Sequence, residues 1–262
     1  MNTITQFTNS FQSEWLKTRH SLSSWLVIIG SIFIPLILLS ARTLYPKYLA
    51  GDAQNPMFWQ KIFRDCWQPM AIFFLPMGIV LAASLIAQLE FRNNSWKQVH
   101  TTPQTLTTIF IAKFAVILTM LLQLFVLFNV FTYFAGILPH ILRGAAMPQQ
   151  AFPFWYFIEK SYCMFLAALP IVALQFLISL QFKNFLVPLS FGLGFQVASL
   201  IAVEWKYGYC VPYTYCPLGY FSMIGSPTSI PQGVDIYAWA VGYFVFFMVL
   251  SYVLYIFKRE KG

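Results

Sequence analysis

Apolar residues run along this chain in blocks much longer than the stripes of an ordinary surface helix. Seven stretches of 20 or more residues contain no Asp, Glu, Lys or Arg, and six of them are continuous apolar blocks. A helix rising 1.5 Å per residue needs about 20 such residues to cross a hydrocarbon core of roughly 30 Å. In lipid a spanning backbone must satisfy its own hydrogen bonds, which selects helices. The pattern predicts an all-α polytopic membrane protein with six transmembrane helices, at about 21–41, 66–89, 108–138, 161–182, 184–203 and 236–257, forming one domain over 21–262.

The segments between and before these blocks have patterns of their own. In residues 1–20, Ile4, Phe7, Phe11 and Trp15 recur at helical spacing, with Gln6, Ser10, Glu14 and Lys17 between them. That spacing predicts an amphipathic helix able to lie in the membrane interface before the chain turns into the bilayer. Phe58, Ile62 and Trp67 outline a second surface segment on the opposite side. The uncharged stretch 207–234 contains Pro212, Pro217, Pro227 and Pro231 interspersed with Gly208, Gly219, Gly225 and Gly233. Proline costs about 3 kcal/mol in a helix interior and glycine about 1. The stretch therefore reads as an aromatic-rich loop at the membrane surface, or one that re-enters it, rather than a seventh span.

Composition agrees with lipid as the solvent. Hydrophobic residues make up 59% of the 262 and charged residues 9%, against about 25% charged in a soluble domain. The net charge is +8, but the basic residues are scattered singly between apolar runs. They read as helix-end anchors and headgroup contacts with membrane lipid, not as a nucleic-acid surface. The first span, too long for the apolar core of a cleaved leader, reads as a retained anchor. Six spans place both termini on one side, with nine basic residues there and seven on the other. The cluster Lys258, Arg259 and Lys261 favours cytoplasmic termini at the cell (plasma or inner) membrane. Arg42, Lys47, Lys61 and Arg64 in the first outer loop run against that rule.

Catalytic chemistry is not visible. No phosphate-cradling G-x-x-x-x-G-K-[ST] and no G-x-S-x-G occurs. His20, His100 and His140 stand apart from other ligands, so no metal site is expected. Glu90 and Glu204 sit at span ends, unlike the midplane carboxylates of ion-driven carriers. All four cysteines fall on the outer side. Cys210 and Cys216 flank CVPYTYC and would bridge locally if that side is oxidising and the geometry permits. Gln123, Asn129, Gln175 and Gln196 punctuate the spans, as interhelical hydrogen-bond partners or as the lining of a path. Pro35, Pro76, Pro170 and Pro188 mark kinks or hinges.

The most informative segment joins the second and third spans. Glu90 ends one, and Arg92, Asn93, Asn94, Ser95, Trp96, Lys97, Thr101 and Pro103 lead to the next, with Lys113 early in it. Here the chain resembles the permease subunits of ATP-binding-cassette exporters of the type-2 class. Their signature is a Glu ending span two, an Arg-Asn-Asn/Gly-Ser/Thr-Trp-Lys run, a Thr-x-Pro and a lysine early in span three. Their N-terminal elbow helix ends in Glu-x-x-Lys-x-x-Arg/Lys; Glu14, Lys17 and Arg19 are similar, with the last basic residue one position early. In overall look the chain is closest to the compact permeases of peptide-antibiotic (lantibiotic) immunity.

The resemblance implies a division of labour. The loop from Glu90 to Pro103 would be a coupling helix docked on a cytoplasmic ATPase subunit, which carries the ATP and Mg, while this chain binds no cofactor and is not an enzyme. Phe7, Phe11, Glu14, Trp15, Lys17 and Arg19 would form the elbow. A second permease chain, identical or a sister subunit, would complete the transporter, and the cargo would be an amphipathic molecule such as a peptide antibiotic. Arg92, Trp96 and Lys97 are residue types that anchor interfaces, and Glu90 would pair with Arg92, Lys97 or a basic group of the elbow. The rival readings are a membrane scaffold or assembly factor without transport, and a secondary carrier driven by ions.

Overall fold

A computed structural model describes residues 3–19, 21–92, 105–231 and 233–257 of the protein. Among them it is helical, without a strand, and nine α-helices follow in order. They are α1 (Thr3–Thr18), α2 (Leu22–Leu44), α3 (Phe58–Pro69), α4 (Leu75–Arg92), α5 (Leu106–Arg143), α6 (Phe154–Gln181), α7 (Leu186–Ala202), α8 (Tyr215–Met223) and α9 (Ile236–Phe257). Five helical stretches are long and apolar enough to cross a membrane: α2, the fused α3–α4, α5, α6 and α9. The protein is a multi-pass membrane protein. The expected fifth span, 184–203, forms the shorter α7 of 17 residues, which rises about 25 Å at 1.5 Å per residue, short of a full hydrocarbon core.

The longest rod, α5, has defined ends. Thr105 caps its start, its side chain accepting from the Thr108 amide at 3.2 Å. Gly144 ends it with φ of 61°, the left-handed conformation that favours glycine. Its 38 residues rise roughly 57 Å, so the helix extends past the expected span 108–138 at both ends.

The surface segment expected around Phe58, Ile62 and Trp67 is instead core. All three are fully buried, and α3 runs into α4 through a single π-helical turn, Met70–Phe74. The cause is a set of aromatic partners that the pattern of α3 alone does not reveal. The Trp59 ring stacks on Tyr133 at 5.4 Å, Trp67 meets Phe128 edge-on at 4.9 Å, and Phe63 meets Phe157 at 4.9 Å. Trp59 also donates from Nε1 to the Gln150 carbonyl at 3.0 Å. Aromatic pairs of this geometry add about 0.5–1.5 kcal/mol each beyond area burial. Gly136 permits the fit, since a Cβ there would lie 2.9 Å from the Trp59 ring.

Polar residues inside the apolar helices find protein partners at three of the four expected positions. Pro76 has no N–H to offer the Ile72 carbonyl four residues earlier, and Gln196 of α7 donates to that carbonyl from Nε2 at 2.8 Å. Asn129 donates to Ser161 Oγ at 2.8 Å. Gln175 donates to Ser84 Oγ and to the Pro188 carbonyl, both at 3.0 Å, joining α4, α6 and α7. Gln123 has no such partner among the described residues and is exposed on the outer face of α5.

The 207–234 stretch turns back into the bundle. Two 3-10 turns, Gly208–Cys210 and Pro212–Thr214, lead into α8, and Tyr213, Tyr215, Leu218 and Tyr220 are all fully buried. Tyr213 donates its hydroxyl to Gln175 Oε1 at 2.8 Å. The 3-10 turn at Gly208–Cys210 and helix α8 place the two cysteines on different surfaces. Cys216 faces the Ala167 carbonyl of α6 at 3.8 Å, while Cys210 is exposed on its 3-10 turn, and both are free thiols. The bridge expected across CVPYTYC is therefore not formed.

Candidate functional site

The site forms where α1 crosses the first turns of α5 (Leu106–Arg143). The sequence predicts that α1 turns an aromatic stripe toward apolar surroundings. That stripe exists: the Phe7 and Phe11 ring centroids are 6.3 Å apart and those of Phe11 and Trp15 6.2 Å, the latter pair stacked. All three rings are only half-buried. The ridge that α1 buries fully is polar: Ser10, Glu14 and Thr18, at i, i+4 and i+8.

Charge explains the inversion. Lys113 lies two turns into α5 and is 1% exposed, a position where an ammonium needs compensation. Glu14 Oε2 lies 3.2 Å from its Nζ, and Glu14 Oε1 accepts from Lys17 at 2.5 Å. Burial pushes the Glu14 carboxyl up, but Lys113 and Lys17 together outweigh it and hold the group below its ordinary range. Glu14 is thus ionised and bonded to two cations. It fixes the otherwise exposed α1 to α5, the rod that begins where the coupling segment ends.

Of the coupling residues named from the sequence, Asn93, Asn94, Ser95, Trp96, Lys97, Thr101 and Pro103 lie outside the described residues, as do the side chains of Glu90 and Arg92. The backbone at those last two positions closes α4. Of the elbow residues, Phe7, Phe11, Glu14, Trp15 and Lys17 gather on α1. Arg19 follows at its end, exposed and unpaired with any carboxylate among the described residues. The Glu14–Lys113 pair was missed in the sequence, although its signal was there: two charges of opposite sign, each beside a long apolar run.

A second buried charge cluster, also missed, lies at the other end of the bundle. Arg42 at the end of α2 donates from Nη2 to Asp52 Oδ2 at 2.6 Å, and His140 Nε2 lies 3.2 Å from the same Arg42 nitrogen. The Phe58 ring lies 5.4 Å from the guanidinium carbon. Arg42 is therefore a structural clamp between α2, the 52–54 turn and α5, which removes one of the four basic residues that ran against the charge rule.

Comparison with known proteins bears on most of the bundle. The family model described as "ABC-2 family transporter protein" matches residues 10–199. The match includes Glu14, Lys113, Arg42 and Asp52 and reaches from α1 into the last turn of α7, nearly three quarters of the chain. No curated protein and no solved structure matches the chain. With that family match joined to a helical multi-pass bundle, the chain belongs to the ABC-2 transporter family, as the membrane permease subunit of an ATP-binding-cassette transporter that works with an ATPase subunit.

Proposed function

We propose that this permease exports an amphipathic molecule, a peptide antibiotic being the cargo class favoured by the sequence resemblance. Hydrolysis takes place on the partner ATPase, which holds the ATP and Mg, and this chain transmits work without catalysing a reaction. Two permease chains, identical or sister subunits, form the pathway. In this reading α7 is the fifth of six crossings, α1 is the interfacial elbow, and both termini are cytoplasmic in the plasma or inner membrane. The segment from Glu90 to Pro103 docks on the ATPase.

The observation that carries the reading is the Glu14–Lys113 pair. Lys113 is seven residues from the start of α5, roughly 10 Å along the helix. A push on the preceding segment reaches α5 as a rigid rod, and the buried ion pair makes α1 move with it. Coupling of this kind needs a packed element with discrete arrangements, not a flexible tether.

The test is co-purification and transport with the partner ATPase. Trp96→Ala combined with Lys97→Glu should reduce ATPase recovery and ATP-dependent efflux together. A cysteine at Ser95 should react with an impermeant maleimide only from the cytoplasmic face. Efflux that persists on an ion gradient without ATP, wild-type protein that recruits no ATPase, or labelling of Ser95→Cys from outside would overturn the reading.

A further inference from the structure

One polar feature is left without a role by the mechanism above. Gln123 projects from the outer face of α5, exposed, with no protein partner among the described residues. An amide facing hydrocarbon without a partner is unfavourable. The side chain lines a groove of about 580 Å³ between the end of α1, α2 and α5, whose walls include Trp15, Arg19, Val27, Ile28 and Val126. Thr119 lies in the same groove one turn, about 5.4 Å, below Gln123.

The groove is polar at one end and greasy along its length. Arg19 supplies the cation at the polar end. Lys17 is bonded to Glu14, whereas the Arg19 guanidinium meets no carboxylate among the described residues, and no acidic side chain lines the groove. Trp15 adds an amphipathic ring of the kind that settles at headgroup depth. The apolar walls continue onto the exterior, with Val126 63% and Ile28 46% exposed, so an occupant enters sideways from the bilayer.

We propose that this groove binds one anionic phospholipid of the surrounding membrane. Arg19 takes the phosphate through its planar donor fork. The Gln123 amide donates to an ester carbonyl farther along the groove, and the acyl chains lie against Val27, Ile28 and Val126. The charge requirement comes from Arg19: a zwitterionic lipid brings a cation of its own next to the guanidinium, while an acidic headgroup does not. The bound lipid would fill the outer side of the joint between α1 and the α2–α5 pair, opposite the Glu14–Lys113 contact. The proposal does not depend on the cargo or on the direction of transport.

The full-length chain, purified in mild detergent, is offered equimolar phosphatidylglycerol and phosphatidylcholine, and retained lipids are counted by native mass spectrometry. Wild type should prefer phosphatidylglycerol by about fivefold, the value of one interfacial cation. Arg19→Gln should bring the ratio close to one, and Arg19→Lys should keep most of the preference. Gln123→Leu should lower retention of both lipids with the ratio unchanged. Lys206→Gln, exposed beside Tyr207, should change nothing. Equal uptake of the two lipids by wild type, or an unchanged preference in Arg19→Gln, would overturn the proposal. If Arg19→Gln proves poorly folded, Gln123→Leu decides alone, and undiminished lipid retention in that variant would overturn it equally.

Discussion

Arg42 Nη2 lies 2.6 Å from Asp52 Oδ2, with both side chains 3% exposed. Ten residues separate them, and the pair closes the connection between α2 and α3 against the end of α5 through His140. Removing one member of a buried pair leaves the other uncompensated, at a cost of about 3–5 kcal/mol. Asp52→Ala should therefore lower the thermal unfolding midpoint in detergent more than any substitution of exposed Lys47. A near-neutral result would mean that Arg42 finds water or another acceptor at no cost.

The Glu14–Lys113 contact predicts a coupling energy. Glu14→Ala should destabilise the protein by roughly 3 kcal/mol and release α1 to proteases. In a double-mutant cycle with Lys113→Met the two effects should fail to add by about 1 kcal/mol or more. Strict additivity would show that the pair contributes nothing to holding α1.

The same carboxylate predicts an acid-sensitive term. Its folded pKa is depressed below the ordinary value of 4.5. Its stabilisation is thus complete above that value and is lost as pH falls through the folded one. Thermal midpoints measured from pH 7 down to pH 3 should fall more steeply for wild type than for Glu14→Gln. Parallel curves would refute the assignment.

Gly192 of α7 faces Val80 of α4, where an added Cβ would lie 2.4 Å from Val80 Cγ1 and 3.0 Å from Gln175 Oε1. Gly192→Ala should cost about 1–3 kcal/mol through overpacking, and Val80→Ala in the same chain should recover a substantial part of the loss. An unfolding midpoint equal to wild type in Gly192→Ala would show that α7 sits further from α4.

Thiol chemistry separates the two cysteines of CVPYTYC. Cys210 is exposed, whereas Cys216 is buried and its thiol pushed up by that burial. A maleimide should modify Cys210 in folded protein within minutes and reach Cys216 only after denaturation. Equal labelling rates would contradict the burial of α8.

Length and the absence of charge made the long helices legible in the sequence, because a bilayer imposes a thickness that any span must match. The same reasoning overstated 184–203, whose helix is only 17 residues long, since an apolar block records lipid or protein surroundings without fixing where a helix ends. Phe58, Ile62 and Trp67 were read as surface because the rings that enclose α3, among them Phe157 in α6 and Phe128 and Tyr133 in α5, are distant in sequence. Tyr213 and Gln175 are 38 residues apart, and nothing local to either announces the other. In the candidate site the individual residues of α1 were legible, but the Glu14 partnership was not. A helical wheel groups residues by face, whereas the face that ends up buried is decided by one lysine on another helix.

The π-helical turn at Met70–Phe74 has a further effect on what changes the gene can tolerate. An α-helix advances about 100° per residue, and a π turn accommodates one extra residue without breaking the ladder. Deleting any single residue from 70–74 would let the stretch rewind as plain α-helix with α3 and α4 nearly in phase, because the wide turn had absorbed the extra residue. A residue lost inside α3, where no wide turn absorbs it, would instead rotate Trp59 relative to Trp67 by about 100°. A one-codon loss within these five positions should therefore be mild, and the same loss between Trp59 and Trp67 should be as damaging as the removal of the whole aromatic cluster.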